Sequence, residues 1–257
     1  MSAQLNVLFN GCSFTVGAGF PPESREMYVW DNLLVKKFNF LKNNIAIKGS
    51  SNYTIFMRSA NAIISKKYDV IVTQWTALNR LWLSPGPECH FFVNDQKFPD
   101  FRYRDVYISA NEKSMLTKLF LLLNHDYQNI FELIDYNKIL SQLATVNNVK
   151  LIHVNGLVPW QDDLITNIDP NELNSTLTEY TKNILDVSNR DDNEIIDYVT
   201  KLQNKFAELD QDKWVNLFES FLNNTVDIGP EGHHPGIKSN QWMADQVANY
   251  IIEKQII

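Results

Sequence analysis

Four short apolar runs constrain the fold of this chain more than any other feature of its sequence. Their residues are β-branched and apolar almost without interruption, which is typical of strands covered on both faces, as in a parallel sheet. Stretches of helical character lie between and after them. The runs span residues 6–9, 44–47, 70–75 and 150–154, and the helical stretches span about 27–40, 53–66, 112–147 and 239–254.

This alternation of strand and helix predicts a three-layer α/β/α domain built on a parallel sheet of about five strands. The length of 257 residues suits a single domain over residues 1–257. Two segments depart from the alternation. Residues 81–109, which hold three prolines, are expected to form an excursion over the strand ends, and the long polar segment 161–224 a helical insertion or lid.

Net charge, apolar runs and cysteine count indicate which partners and which cellular location to expect. A net charge of −7 argues against a nucleic-acid partner. The N-terminal residues lack the pattern of a signal peptide, and no apolar run approaches the roughly 20 residues that span a bilayer. Two cysteines, Cys12 and Cys89, do not make a disulfide framework in a chain of this length. We therefore expect a cytoplasmic protein that binds neither nucleic acid nor membrane.

The turn after the first predicted strand, residues 10–19, lies where ligands bind in α/β sheets. A phosphate-binding loop needs a lysine followed by Ser or Thr after its last glycine, and a dinucleotide fingerprint needs a third glycine that opens a helix. Here Gly19 is followed by Phe20, Pro21 and Pro22. Both phosphate-binding interpretations fail, and the remaining interpretation is that the turn carries a catalytic nucleophile.

Ser13 is the candidate nucleophile, and its own N–H could stabilise an oxyanion. A serine hydroxyl needs an adjacent base, so the hypothesis depends on a histidine. His153 lies inside a predicted strand and is expected in the core, while His90 and His125 have no supporting pattern. The remaining two, His233 and His234, precede the final helix.

Two sequence blocks resemble those of the SGNH (GDSL) hydrolase family. The family carries its serine in a Gly-Asp-Ser block after the first strand, and the sequence here is Gly-Cys-Ser over residues 11–13. Its Asp-x-x-His-Pro block before the last helix is matched by residues 231–235, with glutamate for aspartate. The Gly-Cys-Ser-Phe-Thr sequence with a following Gly-x-Gly resembles the branch often seen in tailed phages and their hosts.

The resemblance implies a flavodoxin-like SGNH hydrolase fold and a triad of Ser13, His234 and Glu231, with no metal or organic cofactor. Three alternatives stay open. Cys12 could be the nucleophile, since a thiolate near a histidine is reactive. His233 could replace His234 as the base, and Asp227 could replace Glu231 as the orienting acid.

The family's oxyanion donors are matched only in part. Gly49 stands where the family supplies a glycine N–H after the second strand, and Asn52 is expected to cap the next helix. The third block, which normally carries an asparagine donor, reads TQWTALNR over residues 73–80 and has no asparagine in that position. Thr76 or Gln74 could donate from about the right place.

The resemblance implies a serine esterase that acts on a small-molecule or glycan ester, for example on O-acyl groups of a carbohydrate. An acyltransferase with the same triad and a catalytically weak binding module that kept the fold are the alternatives. Trp75, Trp82 and Trp160 follow strand ends or lie in the excursions. They could stack on a sugar ring, although aromatic side chains are more often found in the core.

Overall fold

The computed structural model describes residues 4–76, 126–155, 197, 200–201, 203–205, 207–209, 211–217, 227–228 and 234–257. Five parallel strands form one sheet in the order β2-β1-β3-β4-β5. The strands are β1 Asn6–Asn10, β2 Leu41–Asn44, β3 Val70–Trp75, β4 Lys150–Asn155 and β5 Trp214–Asn216. The helices are α1 Ser13–Val16, α2 Pro22–Tyr28, α3 Trp30–Phe38, α4 Asn52–Ser65, α5 Asp126–Asn147 and α6 Ile237–Glu253.

Two hydrophobic cores lie on opposite faces of the sheet. Successive side chains of a strand point to opposite faces, so a central strand contributes to both layers. On one face α4 and α5 pack together, and the buried side chains include Leu8, Ile55, Ile71, Leu133 and Leu140. On the other face α3 packs against α6, and the buried side chains include Phe9, Trp30, Leu34, Val72 and Val247. The predicted three-layer fold with a five-stranded parallel sheet is therefore confirmed.

The second strand differs from its prediction. The apolar run at residues 44–47 was expected to form it, whereas β2 is the polar segment Leu41–Asn44. Because β2 is an edge strand whose alternate residues are exposed, it has no need of a continuous apolar sequence. Ile45 follows the strand and packs against the core, with its N–H donating to Phe9 O at 2.9 Å.

The first long helix is also divided. A single helix was expected over residues 27–40, and the structure has α2 and α3 on either side of Val29. Val29 takes an extended backbone, with φ −75° and ψ 138°, and its side chain is buried in the core. This break turns the chain between the two helices.

The two segments that interrupt the predicted alternation are described only in part. Residues 81–109 lie outside the described residues, and so does most of 161–224. Within the latter, β5 forms the edge of the sheet beside β4. Three residues are too few to produce a recognisable strand pattern, which is why sequence alone did not indicate it.

His153 is buried in β4, as its position in an apolar strand predicted. Its ring is stacked between the rings of Trp75 and Trp214, at centroid distances of 5.8 and 4.9 Å. Trp75 Nε1–H donates to His153 Nδ1 at 3.2 Å, and Ser141 Oγ lies 3.2 Å from Nε2. Burial lowers the pKa of His153 to about 3, and the nearby positive charge of Lys213 adds to that effect. The ring is therefore neutral and structural.

Replacing His153 by Phe should flatten the pH dependence of stability. The unfolded chain binds a proton at this position below about pH 6.5 and the folded protein does not, so stability falls as the pH drops from 6.5 towards 3. We expect the free energy of unfolding to fall between pH 7 and pH 5 by about 2 kcal/mol more in the wild type than in His153→Phe. Urea titrations at both pH values measure this difference, and equal losses would contradict the assignment.

Candidate active site

Ser13 lies at the carboxyl edge of the sheet, as the first residue of the short helix that follows β1. The first N–H groups of a helix have no acceptor within it, so the N–H of Ser13 is available to a ligand. Ser13 retains 6% exposure, while the neighbouring Cys12 side chain is completely buried. A completely buried thiol is less accessible to a substrate than the hydroxyl beside it.

Thr15 ties this turn to the neighbouring strand. Its hydroxyl donates to Gln74 Oε1, near the end of β3. On the other side, Asn44 Nδ2 donates to Thr15 O at 3.0 Å and to Asp31 Oδ2 at 2.7 Å. The turn that carries Ser13 is therefore held from both adjacent strands.

His234 lies against the same turn. Its ring contacts the ring of Phe14 edge-on, with centroids 5.8 Å apart and an interplanar angle of 67°. A Cβ added at Gly19 would lie only 2.8 Å from His234 Cβ. The segment that carries His234 can therefore pack this closely against the serine turn only because residue 19 is glycine. The described contacts include no hydrogen bond between Ser13 Oγ and His234, and such bonds are often long in the absence of substrate.

Asn240 fixes the loop that carries His234. Its Nδ2 donates to Pro235 O and to Gly236 O, both at 2.9 Å, and its Oδ1 accepts from Trp30 N at 3.1 Å. Asn240 is almost completely buried, one turn into α6. Sequence analysis missed this residue, because an asparagine inside a helical stretch carries no local signal of such a role.

Asp227, the alternative orienting acid, binds the start of α6. Its carboxylate accepts hydrogen bonds from Lys238 N at 3.0 Å, from Ser239 N at 2.9 Å and from Ser239 Oγ at 3.0 Å. Burial by itself raises the pKa of Asp227, but these hydrogen bonds outweigh it and lower the pKa below its ordinary value. Both carboxylate oxygens are therefore occupied in holding the helix N-terminus.

Several predicted residues lie outside the described residues. Two of them are Glu231, the candidate orienting acid, and His233, the alternative base. The others are His90, His125, Trp82, Trp160 and Cys89. Trp75 is described and is completely buried beside His153, so it belongs to the core, as is more often the case for aromatic side chains, and the alternative that it stacks on a sugar is wrong.

Gly49 lies in a tight turn between β2 and α4. Ser50 N donates to Ile47 O at 3.2 Å, and Gly49 in the third position of the turn has φ 77°. A positive φ at this position favours glycine. The turn delivers the chain to α4, whose N-cap is Ser51: its side chain accepts from Thr54 N at 3.2 Å.

The prediction that Asn52 caps this helix is therefore wrong, because Asn52 is the first helical residue and its side chain is used elsewhere. Its Oδ1 accepts from Thr76 N at 2.9 Å, and its Nδ2 donates to Thr76 O at 3.0 Å. Both polar groups of the Thr76 backbone are thus bound by one side chain.

No group of three or more His, Cys, Asp or Glu side chains in the described part of the chain is arranged to hold a metal ion. None of the described helices has the length and apolar character needed to cross a membrane.

Among known proteins, similarity to this chain is found only in solved structures. A scan against protein-family models and a search of the curated proteins match nothing. The chain is similar to a catalytic mutant of Axe2, an acetylxylan esterase from Geobacillus stearothermophilus, with 12% identity, a TM-score of 0.48, and 98% and 96% of the two chains covered.

Two further structures show a similar likeness. One is a protein from Desulfitobacterium hafniense DCB-2 that has been assigned to the lipolytic proteins of the G-D-S-L family, with 10% identity, a TM-score of 0.45, and 96% of this chain and 99% of that chain covered. The other is the psychrotrophic esterase EstA from a Pseudoalteromonas species, with 11% identity, a TM-score of 0.45, and 98% and 99% covered. Likenesses of this size carry no function across, so the function has to be inferred from the residues of the site.

Proposed function

We propose that this chain is a serine ester hydrolase of the SGNH (GDSL) type, with Ser13 as nucleophile and His234 as general base. The observation that supports it most is the edge-on contact between the rings of His234 and Phe14. It joins the two sequence blocks from opposite ends of the chain at one place, the turn beyond the carboxyl end of β1. Nucleophilic catalysis by serine requires an imidazole beside the hydroxyl, and this contact brings the His234 ring to the residue next to Ser13.

The proposed reaction proceeds through an acyl-enzyme. Ser13 Oγ attacks the ester carbonyl carbon while His234 accepts the hydroxyl proton, and a tetrahedral oxyanion forms. The carbon–oxygen bond to the alcohol then breaks, and His234 returns the proton to the leaving alkoxide. A water molecule, deprotonated by His234, attacks the acyl-enzyme and releases the acid and free Ser13.

The N–H groups of Ser13 and Gly49 are proposed to stabilise the oxyanion. Ser13 is the first residue of α1, where a helix offers its N–H no acceptor. Gly49 is buried in a turn that follows the adjacent strand β2. Backbone donors that are fixed before substrate arrives and shielded from water are effective because they need no reorganisation during the reaction.

Glu231 is the proposed orienting acid. A carboxylate three residues before His234 can curl back to the imidazole Nδ1–H, which fixes the tautomer and stabilises the imidazolium. The competing carboxylate of Asp227 has both oxygens bound by the first residues of α6. This use of Asp227 favours Glu231 for the role.

A fluorophosphonate tests the nucleophile. It should label the wild-type protein at Ser13, Ser13→Ala should abolish labelling, and Cys12→Ala should leave it unchanged, because only the hydroxyl at residue 13 lies where the base can activate it. Peptide mapping by mass spectrometry locates the adduct. Labelling at Cys12 would contradict the proposal and identify a thiol nucleophile, whereas no labelling of the folded protein would contradict it and favour a binding module.

The same preparation separates hydrolysis from acyl transfer. Turnover of p-nitrophenyl acetate should release acetate in water, and an added alcohol such as glycerol should leave acetate as the main product. Acyl transfer to the alcohol at the expense of acetate would identify an acyltransferase with the same nucleophile.

Glu231→Gln tests the acid, with Asp227→Asn as its matched control. Glu231→Gln should keep the fold and lower kcat strongly, because an amide stabilises the imidazolium less than a carboxylate does. Asp227→Asn should retain kcat and lose about 1 kcal/mol of stability, since the cap of α6 is weakened. The pH–rate profile and urea titration measure these effects. Loss of turnover in Asp227→Asn with full turnover in Glu231→Gln would reverse the assignment.

A further inference from the structure

We infer that the hydroxyl of Thr76 is the third oxyanion donor of this site, and that Asn52 is the positioning residue that aims it. The inference rests on the proposed function and deepens it, since the sequence has no asparagine in the family's third block. It assigns the vacant donor role to a side chain of a different chemical type, a hydroxyl.

The backbone of Thr76 is excluded as the donor by its pairing with Asn52. The Thr76 N–H is bound by Asn52 Oδ1 at 2.9 Å, and the Thr76 carbonyl by Asn52 Nδ2 at 3.0 Å. Both residues are buried, so water does not compete for these bonds. The only polar group of Thr76 left for a ligand is the hydroxyl.

The hydroxyl of Thr76 is completely buried and has no hydrogen-bond partner in the described part of the chain. A buried polar group without a partner costs about 1–3 kcal/mol, and few are kept in folded proteins. Other buried hydroxyls nearby are paired: Ser51 with Thr54, and Ser59 with Thr73. Thr76 carries the only buried hydroxyl without a partner among the described residues, and this hydroxyl is therefore free to donate to a ligand.

The position of Thr76 fits an oxyanion donor. Thr76 is the residue that follows β3, and β3 pairs in parallel with β1 so that Thr73 lies opposite Asn10. The chain thus leaves both strands at the same edge of the sheet, where Ser13 lies. Gly49 precedes Asn52 by three residues, and Asn52 binds the Thr76 backbone. Asn52 therefore connects the two proposed donors, Gly49 and Thr76.

Gln74 is the rival donor, because its Nε2 also has no partner among the described residues. Gln74 lies two residues earlier in β3, about 7 Å further from the strand end. Its Oε1 accepts from the Thr15 hydroxyl, and a Cβ on Gly11 would lie 3.0 Å from Gln74 Cβ. The Gln74 side chain is thus held against the turn through its amide oxygen, whereas the Thr76 hydroxyl is bound to no described residue, which favours Thr76 as the donor.

Thr76→Val tests the inference, because it replaces the hydroxyl by a methyl group of similar volume. We expect kcat for p-nitrophenyl acetate to fall by roughly 100- to 1,000-fold, the usual effect of losing one oxyanion donor, with KM little changed. Thermal stability should stay equal or rise, since an unpaired buried hydroxyl has been removed. Thr76→Ser, which keeps the hydroxyl, should retain most of the activity.

Each of the other possible results contradicts a different part of the proposal. Full activity in Thr76→Val, with fluorophosphonate labelling of Ser13 intact in the wild type, overturns the donor role of Thr76 alone. A clear fall in melting temperature in Thr76→Val shows a structural hydroxyl and also overturns it. Loss of kcat in Gln74→Met but not in Thr76→Val transfers the role to Gln74. Absence of Ser13 labelling in the wild type overturns the proposed function itself.

Asn52→Asp tests the positioning role. The carboxylate still accepts from Thr76 N but cannot donate to Thr76 O, so the hydroxyl should be misaimed and kcat should fall with KM unchanged. In the Thr76→Val background the same substitution should cause no further fall in kcat, because the group that Asn52 aims is already gone. Additive losses in the double variant would show that Asn52 acts independently and would overturn its positioning role.

Discussion

The parallel pairing of β1 with β3 fixes the geometry on which the proposed site depends. With Asn10 opposite Thr73, both strands run to the same edge of the sheet, and β3 continues two residues beyond the end of β1, to Trp75. Hydrogen bonds then lock the ends together: the Thr15 hydroxyl binds Gln74, and Asn52 binds the Thr76 backbone. Donors placed by such bonds are rigid before substrate arrives, which electrostatic stabilisation of an oxyanion requires.

The final helix brings the histidine to this edge. α6 packs against α3 on the face where Phe14 of α1 also packs, and its first turn is held by Asp227, while Asn240 binds the loop to the start of α3. The fold thus uses ordinary helix-capping interactions to set the position of His234.

The sequence predicted the central strands well and the edge strands poorly. β1, β3 and β4 are buried on both faces and so have near-continuous apolar sequences, whereas β2 and β5 lie at the edges and tolerate polar or very short sequences. Two motifs singled out Ser13 and His234, and the ring of His234 contacts Phe14, the residue after Ser13. The pairing of Asn52 with Thr76 could not be predicted, because it joins a side chain to a backbone group in another element and leaves no local pattern.

The crystal structure of the fluorophosphonate-treated protein tests the central claim most directly, that Ser13 and His234 act at one site. The account predicts phosphorus bonded to Ser13 Oγ, with a ring nitrogen of His234 within hydrogen-bond reach of the adduct, roughly 3 Å from one of its oxygens. It also predicts a phosphonyl oxygen facing the N–H groups of Ser13 and Gly49. A His234 ring turned away from the adduct, or an adduct on another residue, would contradict the account.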